Sequence, residues 1–385
     1  MTCRILTAPI RAGRLILTVR REDRPVERCL TYATRQNPRR LYLFVSKVLG
    51  KHWPVRPSVM HDVHVRLAAR IAALPGPMLV MGMAETATAL GRGVAEEAAA
   101  RAGRDDVVYL QTTRCRLSGP LAFAFDECHS HAPDHAVYLP DPELQPLFRA
   151  ARSLVLVDDE ISTGRTLVEL ARAYLRFNPR LERIALASIA NWLDEDRRRE
   201  LALLLGRPVC FPALIEGDFQ FEPDPDFSPP ALPLVRAGAD RAHDGMVTDP
   251  ARTGVLAGRW RLPVESTFPW VPGRGNPPPD RPLAVIGTGE YAYTPFRVAL
   301  ALEEAGYDVR FQSTTRSPIM VGDAIASRRE FPDHHGDGIP NYLYNLDAGR
   351  LPVIIYEHAT MPAAHALPGL LGGLAFAVEE SCRAS

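Results

Sequence analysis

The sequence has 385 residues, with 45 lysines and arginines against 45 aspartates and glutamates and a pI near 7.2. This length allows two or three domains that each bury a core, and the even charge excludes a global field that would draw the chain to nucleic acid or an anionic membrane. The 6 cysteines form no Cys-x-x-Cys pair, which argues against a zinc ribbon and a disulfide framework. No apolar run reaches the ~20 residues that span a bilayer. We therefore predict a cytoplasmic protein without nucleic-acid or membrane partners.

Short apolar runs alternate with helical periodicity up to about residue 222, which is typical of an α/β domain with a largely parallel sheet. We assign residues 1–222 to this first domain. The predicted strands are Leu41–Val45, Met78–Met81, Val107–Gln111, Leu154–Val157 and Ile184–Ile189. The predicted helices are Asp62–Leu74, Thr86–Ala102, Thr166–Phe177 and Asp194–Leu205.

Residues 223–282 are rich in proline, and this composition predicts a linker. From residue 283 the alternation resumes, which predicts a second, smaller Rossmann-like α/β domain over residues 283–385.

The two predicted domains contain similar stretches. MGMAETATALG precedes DVVYLQTTR in the first domain, and IGTGEYAYTPF precedes DVRFQSTTR in the second, so that Gly82 aligns with Gly287 and Glu85 with Glu290. A weaker match pairs LVLVDDEIST with PVIIYEHAT, where Glu357 and His358 replace the acidic pair. These matches indicate either an internal duplication or a chance recurrence of a strand-loop-helix-strand unit.

The stretch VLVDDEISTGRT places two carboxylates at the end of a predicted strand, where open α/β sheets bind ligands. Asp158 and Asp159 are suitable acceptors for vicinal ribose hydroxyls. Backbone N–H groups and hydroxyls after them can surround a phosphate at a helix N-terminus. The combination predicts a site for a ribose 5-phosphate. The predicted phosphate-binding residues are Ile161, Ser162, Thr163, Gly164, Arg165 and Thr166.

Other interpretations of these motifs stay open. Response-regulator receivers also have a strand that ends in Asp-Asp, but they need an aspartate after a later strand, and the next strand here ends in Ala190-Asn191. An acidic strand end without a ligand is a second alternative. The partial dinucleotide fingerprint at Gly287 and Gly289 lacks the acidic residue expected after the following strand, which argues against NAD.

The second domain has a polar stretch that contains Thr315, Arg316 and Ser317, and this stretch predicts an anion-binding site. The nearby sequence DHHGDG is a candidate second part of the same site. Upstream, RQNPRRLYLFVSKVLGKH combines a strand with five basic residues. That stretch forms either part of a hood over a bound acceptor or a basic strand edge that faces water.

VLVDDEISTGRT closely resembles the phosphoribosyl-pyrophosphate (PRPP) motif of type I phosphoribosyltransferases. The resemblance implies that Asp158 and Asp159 hold the ribose hydroxyls, that the loop after them holds the 5-phosphate, and that Mg²⁺ enters with PRPP, with the two aspartates as candidate protein ligands. The loop in MGMAETATALG would hold pyrophosphate, with an ordinary tight turn as the alternative. The pyrophosphate-binding residues implied are Met83, Ala84, Glu85 and Thr86.

Type I enzymes have a mobile loop between the positions of Gln111 and Val137, which closes over the substrate. Arg114 and Arg116 are our candidates there to neutralise the departing pyrophosphate, and two solvated arginines are the alternative. The same loop has three histidines that fit either hydrogen-bonding roles or a transition-metal site. These histidines are His129, His131 and His135.

Across both domains the chain resembles orotate-phosphoribosyltransferase-like proteins whose C-terminal domain is named for its Thr-Arg-Ser-Pro (TRSP) motif, here residues 315–318. The matching stretches are NPRRLYLFVSKVLGKH, GMAETATALG, LQTTR, HSHAPDH, VDDEISTGRT, GTGEYAYTPF and TTRSPI.

This resemblance implies a type I phosphoribosyltransferase fold with an N-terminal hood and a Mg²⁺-dependent transfer of ribose 5-phosphate from PRPP to a nucleobase-like acceptor, with release of pyrophosphate. It also implies a role in bacterial tellurium-resistance or stress clusters, in the synthesis of a nucleotide-like metabolite. We further expect a homodimer. A non-catalytic PRPP or nucleotide sensor is the alternative function.

Overall fold

The computed structural model describes residues 3–125, 135–230, 247–261 and 281–378. In chain order the strands are β1 (Arg4–Ile10), β2 (Gly13–Glu22), β3 (Leu30–Thr34), β4 (Tyr42–Ser46), β5 (Met78–Gly82), β6 (Val107–Gln111), β7 (Leu121–Phe125), β8 (His135–Tyr138), β9 (Ser153–Ile161), β10 (Arg183–Asn191), β11 (Val209–Cys210), β12 (Ala213–Pro223), β13 (Val255–Leu256), β14 (Leu283–Gly287), β15 (Val309–Ser313), β16 (Arg328–Pro332), β17 (Pro340–Tyr344), β18 (Leu351–Tyr356) and β19 (Leu374–Ala377). The helices are α1 (Val26–Cys29), α2 (Pro57–Ala69), α3 (Thr88–Ala102), α4 (Gln145–Ala150), α5 (Arg165–Phe177), α6 (Glu195–Leu205), α7 (Tyr293–Glu304), α8 (Met361–Ala364) and α9 (Leu367–Leu371), and a 3-10 helix spans Pro250–Arg252.

A nine-stranded sheet forms the centre of the first domain, in the order β1-β2-β12-β10-β9-β5-β6-β13, with β11 beside β10. Strands β12, β10, β9, β5 and β6 are parallel to one another. The side chains of β5 and β6 are buried on both faces, as are nearly all of those of β10, so these strands are continuous apolar runs rather than alternating ones. The predicted α/β class with a mostly parallel sheet is confirmed.

The predicted strands and helices of the first domain all form, with shifted ends. β9 extends to Ile161, so the acidic residues still belong to the strand. The sequence pattern missed β1 and β2, which pair antiparallel with each other and with β12 at one edge of the sheet. Part of the predicted linker also joins this sheet, because β13 pairs with β6.

The second domain is built on a four-stranded parallel sheet in the order β15-β14-β18-β19. Its β14 lies between β15 and β18 as β5 lies between β6 and β9. The register also matches: Gly82 lies opposite Gln111, and Gly287 lies opposite Ser313. This correspondence favours the duplication over a chance recurrence.

The two domains share hydrophobic cores. Ala33 and Val45 of the β3–β4 hairpin pack with Ile319 and Tyr342 of the second domain in one cluster. Backbone hydrogen bonds of 3.0 and 2.8 Å join Val55 to Phe311 in both directions. The second domain is therefore held by main-chain and apolar contacts rather than by the linker alone.

Within the described ranges, no helix combines the length and the apolar character needed to cross a membrane.

Candidate active site

The acidic residues at the end of β9 lie beside the loop that follows β5. The hydroxyl of Thr86 donates to Oδ1 of Asp159 at 3.0 Å and lies 3.5 Å from Oδ1 of Asp158. The structure thus brings together two groups of predicted site residues that are more than 70 positions apart in the sequence.

These two carboxylates are close together, and neither forms an ion pair with another described residue. Oδ1 of Asp158 accepts the backbone N–H of Asp159 at 2.9 Å. Burial, and after it the neighbouring charge of Asp159, hold the pKa of Asp158 well above its usual range. No lysine or arginine in the described parts of the chain forms an ion pair with either residue. An oxygen-only pair of this kind suits a hard divalent cation such as Mg²⁺.

Glu160, the next residue, is paired instead. Nη2 of Arg40 lies 2.8 Å from both carboxylate oxygens of Glu160, and the guanidinium lies 4.8 Å from the ring centre of Tyr42. Burial raises the pKa of Glu160, and the charge of Arg40 opposes part of that rise. Arg40, from the basic stretch before β4, therefore neutralises Glu160 at the acidic end of β9. Asp158 and Asp159 have no such ion pair among the described residues.

The predicted phosphate loop leads directly into α5. Gly164 has a φ of 70°, and it precedes a first turn that has no side-chain cap. The N–H of Arg165 donates to Oγ1 of Thr163 at 3.4 Å, and the N–H groups of Thr166 and Leu167 are available to an anion. The loop is held from outside: Arg197 Nε donates to the carbonyl of Thr163 at 3.1 Å, and Trp192 N–H donates to the carbonyl of Ile161 at 2.8 Å.

The predicted pyrophosphate loop, residues 83–86, presents mainly its backbone. Met83 and Ala84 are buried, and the Ala84–Glu85 peptide bond is cis. The N–H of Ala84 donates to Oγ1 of Thr112 at 2.9 Å, which ties the loop to the end of β6.

The carboxylate of Glu85 is turned away from Asp158 and Asp159. It pairs at 2.9 Å with Nζ of Lys51, which is 2% exposed and also donates to the carbonyl of Gly289 at 2.9 Å. Lys51 therefore links Glu85 to the second domain.

The equivalent loop of the second domain makes the reciprocal contacts. The carboxylate of Glu290 accepts the hydroxyl of Thr113 at 2.6 Å and the N–H of Arg114 at 2.7 Å. Its backbone carbonyl accepts the hydroxyl of Thr88 at 2.9 Å. Burial acts to raise the pKa of the Glu290 carboxylate. The charge of Arg252 and the hydrogen bonds from Arg114 and Thr113 act in the opposite direction and hold that pKa below its usual range.

The arginines predicted for the closing loop do not contact the two aspartates. Nη2 of Arg114 lies 3.3 Å from Nε2 of His135, whose ring stacks on Phe125, and Arg116 is exposed. Of the predicted histidines, His129 and His131 lie outside the described residues.

A buried ion cluster between the domains was not anticipated from the sequence. Arg252 is 1% exposed, and its guanidinium lies 2.7 Å from Glu357 and 3.3 Å from Glu290. The ligand atoms of His334, His335 and Glu357 lie within 4.8 Å of one another, a spacing that could hold a metal ion. However, Glu357 already neutralises Arg252, whose positive charge opposes a cation at the same carboxylate.

The TRSP motif lies against the first domain. The backbone N–H of Arg316 donates to the carboxylate of Glu85 at 3.4 Å. Nη2 of Arg35 donates to the hydroxyl of Ser317 at 3.4 Å, and Thr315 exchanges backbone hydrogen bonds with Tyr342.

Comparison with known proteins gives two family matches. Residues 29–218 match a family model described as a phosphoribosyl transferase, and residues 274–372 match one described as a TRSP domain C-terminal to that transferase. Together the two matches span about three quarters of the chain. No curated protein matches the sequence.

Among solved structures, the chain is similar to adenine phosphoribosyltransferases. The enzyme from Giardia lamblia, complexed with 9-deazaadenine, is 16% identical over 50% of this chain and 95% of its own, with a TM-score of 0.36. The enzyme from Trypanosoma brucei, in complex with AMP, pyrophosphate and ribose-5-phosphate, is 14% identical over 51% of this chain and 82% of its own, with a TM-score of 0.34.

Proposed function

The chain belongs to the phosphoribosyl transferase family, with a TRSP domain C-terminal to the transferase domain, and we propose that it transfers ribose 5-phosphate from PRPP to a nucleobase-like nitrogenous acceptor. The observation that carries this proposal is the 3.0 Å contact between Thr86 and Asp159. It joins the loop assigned to pyrophosphate to the carboxylates assigned to ribose, and the loop assigned to the 5-phosphate follows at once in the chain.

Each group of residues has a role in this proposal. Asp158 and Asp159 accept hydrogen bonds from the ribose hydroxyls and orient the sugar. The hydroxyls of residues 162–166 and the N–H groups at the start of α5 bind the 5-phosphate. The backbone N–H groups of Glu85 and Thr86 bind pyrophosphate, because those of Met83 and Ala84 already donate to Val157 and Thr112.

The reaction breaks the bond from C1 of the ribose to a pyrophosphate oxygen and forms a bond from C1 to the acceptor nitrogen. Pyrophosphate leaves with the electron pair of the broken bond, and the acceptor nitrogen loses its proton. The transition state is oxocarbenium-like, so positioning of the sugar and stabilisation of the departing charge supply most of the acceleration.

We include Mg²⁺ in the proposal because the unpaired carboxylates of Asp158 and Asp159 fit an oxygen-ligated divalent cation. When bound, the ion would neutralise charge on the pyrophosphate. A place in tellurium-resistance or stress metabolism belongs to the same proposal, on the basis of the resemblance to TRSP-containing proteins. The scattered cysteines support a cytoplasmic location, and the proposal also includes a homodimer.

A screen of nitrogenous acceptors with PRPP and Mg²⁺, read out by pyrophosphate release, tests the transfer. We expect release with at least one acceptor and none from a variant with Asp158→Asn and Asp159→Asn. The control variant is Asp226→Asn, which changes an exposed aspartate outside the site. Binding of PRPP without release with any acceptor would contradict the transfer and favour the sensor function.

A further inference from the structure

The loops after β5 and β14 have the same internal hydrogen bonds. Thr112 N–H donates to the carbonyl of Gly82 at 3.0 Å, and Thr314 N–H donates to the carbonyl of Gly287 at 3.0 Å. The hydroxyl of each threonine accepts an N–H from the loop, at 2.9 Å from Ala84 and at 2.8 Å from Gly289. Thr112-Thr113-Arg114 and Thr314-Thr315-Arg316 are therefore structurally equivalent.

The two domains exchange contacts through these segments. Glu290 of the second domain accepts the N–H of Arg114, and Glu85 of the first domain accepts the N–H of Arg316. Each arginine of the pair is thus placed at the loop of the opposite domain. This arrangement brings Arg316 to the loop assigned to pyrophosphate, whereas the side chain of Arg114 contacts His135.

The guanidinium of Arg316 has acidic neighbours but no direct partner among the described residues. The side chain is partly buried, yet its guanidinium forms no ion pair or hydrogen bond with any residue in the described ranges. Glu85, Glu290 and Asp333 are the neighbouring carboxylates that favour its charged form. Each has other partners: Glu85 pairs with Lys51, Glu290 pairs with Arg252, and Asp333 accepts three backbone N–H groups. A partly buried arginine whose guanidinium has no direct partner among the described residues is suited to an anionic ligand.

The corresponding cleft of the second domain does not offer the same ligand a site. Val157 and Ile355 hold the same register position, so Tyr356 follows where Asp158 follows in the first domain. His334 also lies over the loop, since a Cβ on Gly289 would lie 3.3 Å from the imidazole Cε1. The second domain therefore lacks the acidic pair that would hold a ribose.

We propose that Arg316 of the second domain binds the pyrophosphate part of PRPP in the active site of the first domain, and so completes that site within one chain. This inference rests on the proposed function. It assigns to Arg316 the role that the sequence predicted for Arg114 and Arg116, and it gives the TRSP motif a place in the transferase site rather than in a separate anion site.

The test compares the full-length protein with Arg316→Gln and Arg316→Lys by calorimetric titration of PRPP, pyrophosphate and ribose 5-phosphate, each with Mg²⁺. We expect Arg316→Gln to weaken binding of PRPP and pyrophosphate by about tenfold or more, the loss typical of one charge-assisted hydrogen bond. The Kd of Arg316→Gln for ribose 5-phosphate should stay within about twofold of that of the unaltered protein. Arg316→Lys should bind pyrophosphate with intermediate affinity, because lysine keeps the positive charge but lacks the planar pair of donors of a guanidinium. The control is Arg329→Gln, an exposed arginine of the same domain, which should change none of the three affinities.

The possible results distinguish the role of Arg316 from the proposed transferase function. Unchanged pyrophosphate binding by Arg316→Gln, with PRPP still bound by the unaltered protein, would overturn the role of Arg316 and leave the transferase standing. An equal loss of ribose 5-phosphate would also overturn it, because it would indicate a general structural defect. If Arg316→Gln does not fold, the result for Arg316→Lys decides. No binding of PRPP to the unaltered protein would overturn both claims.

Discussion

Glu85 and Glu290 occupy the same position in two equivalent loops, and the carboxylate of each accepts a hydrogen bond from a backbone N–H of the opposite domain, at 3.4 Å for Glu85 and 2.7 Å for Glu290. Each glutamate also faces a buried cation, Lys51 for Glu85 and Arg252 for Glu290. Contacts with the second domain therefore hold the loops at the active-site edge of the first domain.

Replacement of Arg252 by methionine should strongly destabilise the protein. The change would leave Glu290 and Glu357, which are 7% and 1% exposed, without their cation. Loss of one partner from a buried ion pair costs about 3–5 kcal/mol, and the free energy of unfolding from denaturant titration should fall by that amount.

The control for Arg252→Met is Arg172→Met, because Arg172 pairs with Glu169 at 3.5 Å while the side chains are 51% and 45% exposed. Exposed pairs contribute little to stability, so this variant should unfold like the parent protein. Equal behaviour of the two variants would show that the buried cluster does not hold the domains together.

Gly164→Ala should weaken phosphate binding as well as stability. Gly164 has a φ of 70°, and an added Cβ would lie 2.7 Å from Cδ1 of Leu201. Leu201 is buried in the core, so we expect the phosphate loop to take up part of the shift. Gly206→Ala is the matched control, since its φ is 59° and nothing lies within 4 Å of the added Cβ. Both variants should lose about 1–2 kcal/mol from the left-handed backbone, but only Gly164→Ala should raise the Kd for ribose 5-phosphate. A similar Kd for both variants would contradict the assignment of the loop.

Acid should destabilise the fold through His64. Burial lowers the pKa of His64 to about 3, so the folded state keeps the imidazole neutral while the unfolded state takes up a proton below pH ~6.5. Stability due to this group is therefore fully present above pH ~6.5 and is lost as the pH falls toward 3, by about 1.4 kcal/mol per pH unit. His64→Leu should reduce the difference in unfolding free energy between pH 7.5 and 5.5, and it breaks no hydrogen bond, since neither ring nitrogen has a partner among the described residues.

His61 provides a control of opposite sign for the His64 experiment. A hydrogen bond to Glu97 raises the pKa of His61, so its contribution is present below its unfolded pKa and is lost as the pH rises through the folded pKa. His61→Gln removes this contribution, but it also removes a charge that helps to lower the pKa of His64, so its acid sensitivity should change less than that of His64→Leu. An acid sensitivity that falls more in His61→Gln than in His64→Leu, or one that is unchanged in His64→Leu, would contradict this account.

Much of the transferase domain was predictable because its signals are local. Apolar runs indicated the parallel strands, and the acidic pair followed by a glycine-containing turn indicated a site at the carboxyl edge. The predicted type I phosphoribosyltransferase fold is confirmed by the family match and the parallel sheet. The contact between Thr86 and Asp159 follows from that topology, since adjacent parallel strands end at the same edge.

The features that the sequence did not predict depend on contacts between segments that are distant in the chain. Glu85 was predicted to bind pyrophosphate, but spacing along one strand and loop cannot reveal that its carboxylate pairs with Lys51. Arg252 lies in a proline-rich stretch that composition marks as a linker, and only its partners in the other domain explain its burial. The weakest of the internal matches was also shifted by one residue: the strand register aligns Asp158 with Tyr356 and Asp159 with Glu357.

The central claim is tested most directly by calorimetric titration of PRPP, with and without Mg²⁺, into the protein and into the variant with Asp158→Asn and Asp159→Asn. The account predicts micromolar binding that strengthens with Mg²⁺ and is lost in the double variant while its circular dichroism and melting transition stay intact. Equal binding by both proteins, or no binding by either, would contradict a ribose site at Asp158 and Asp159.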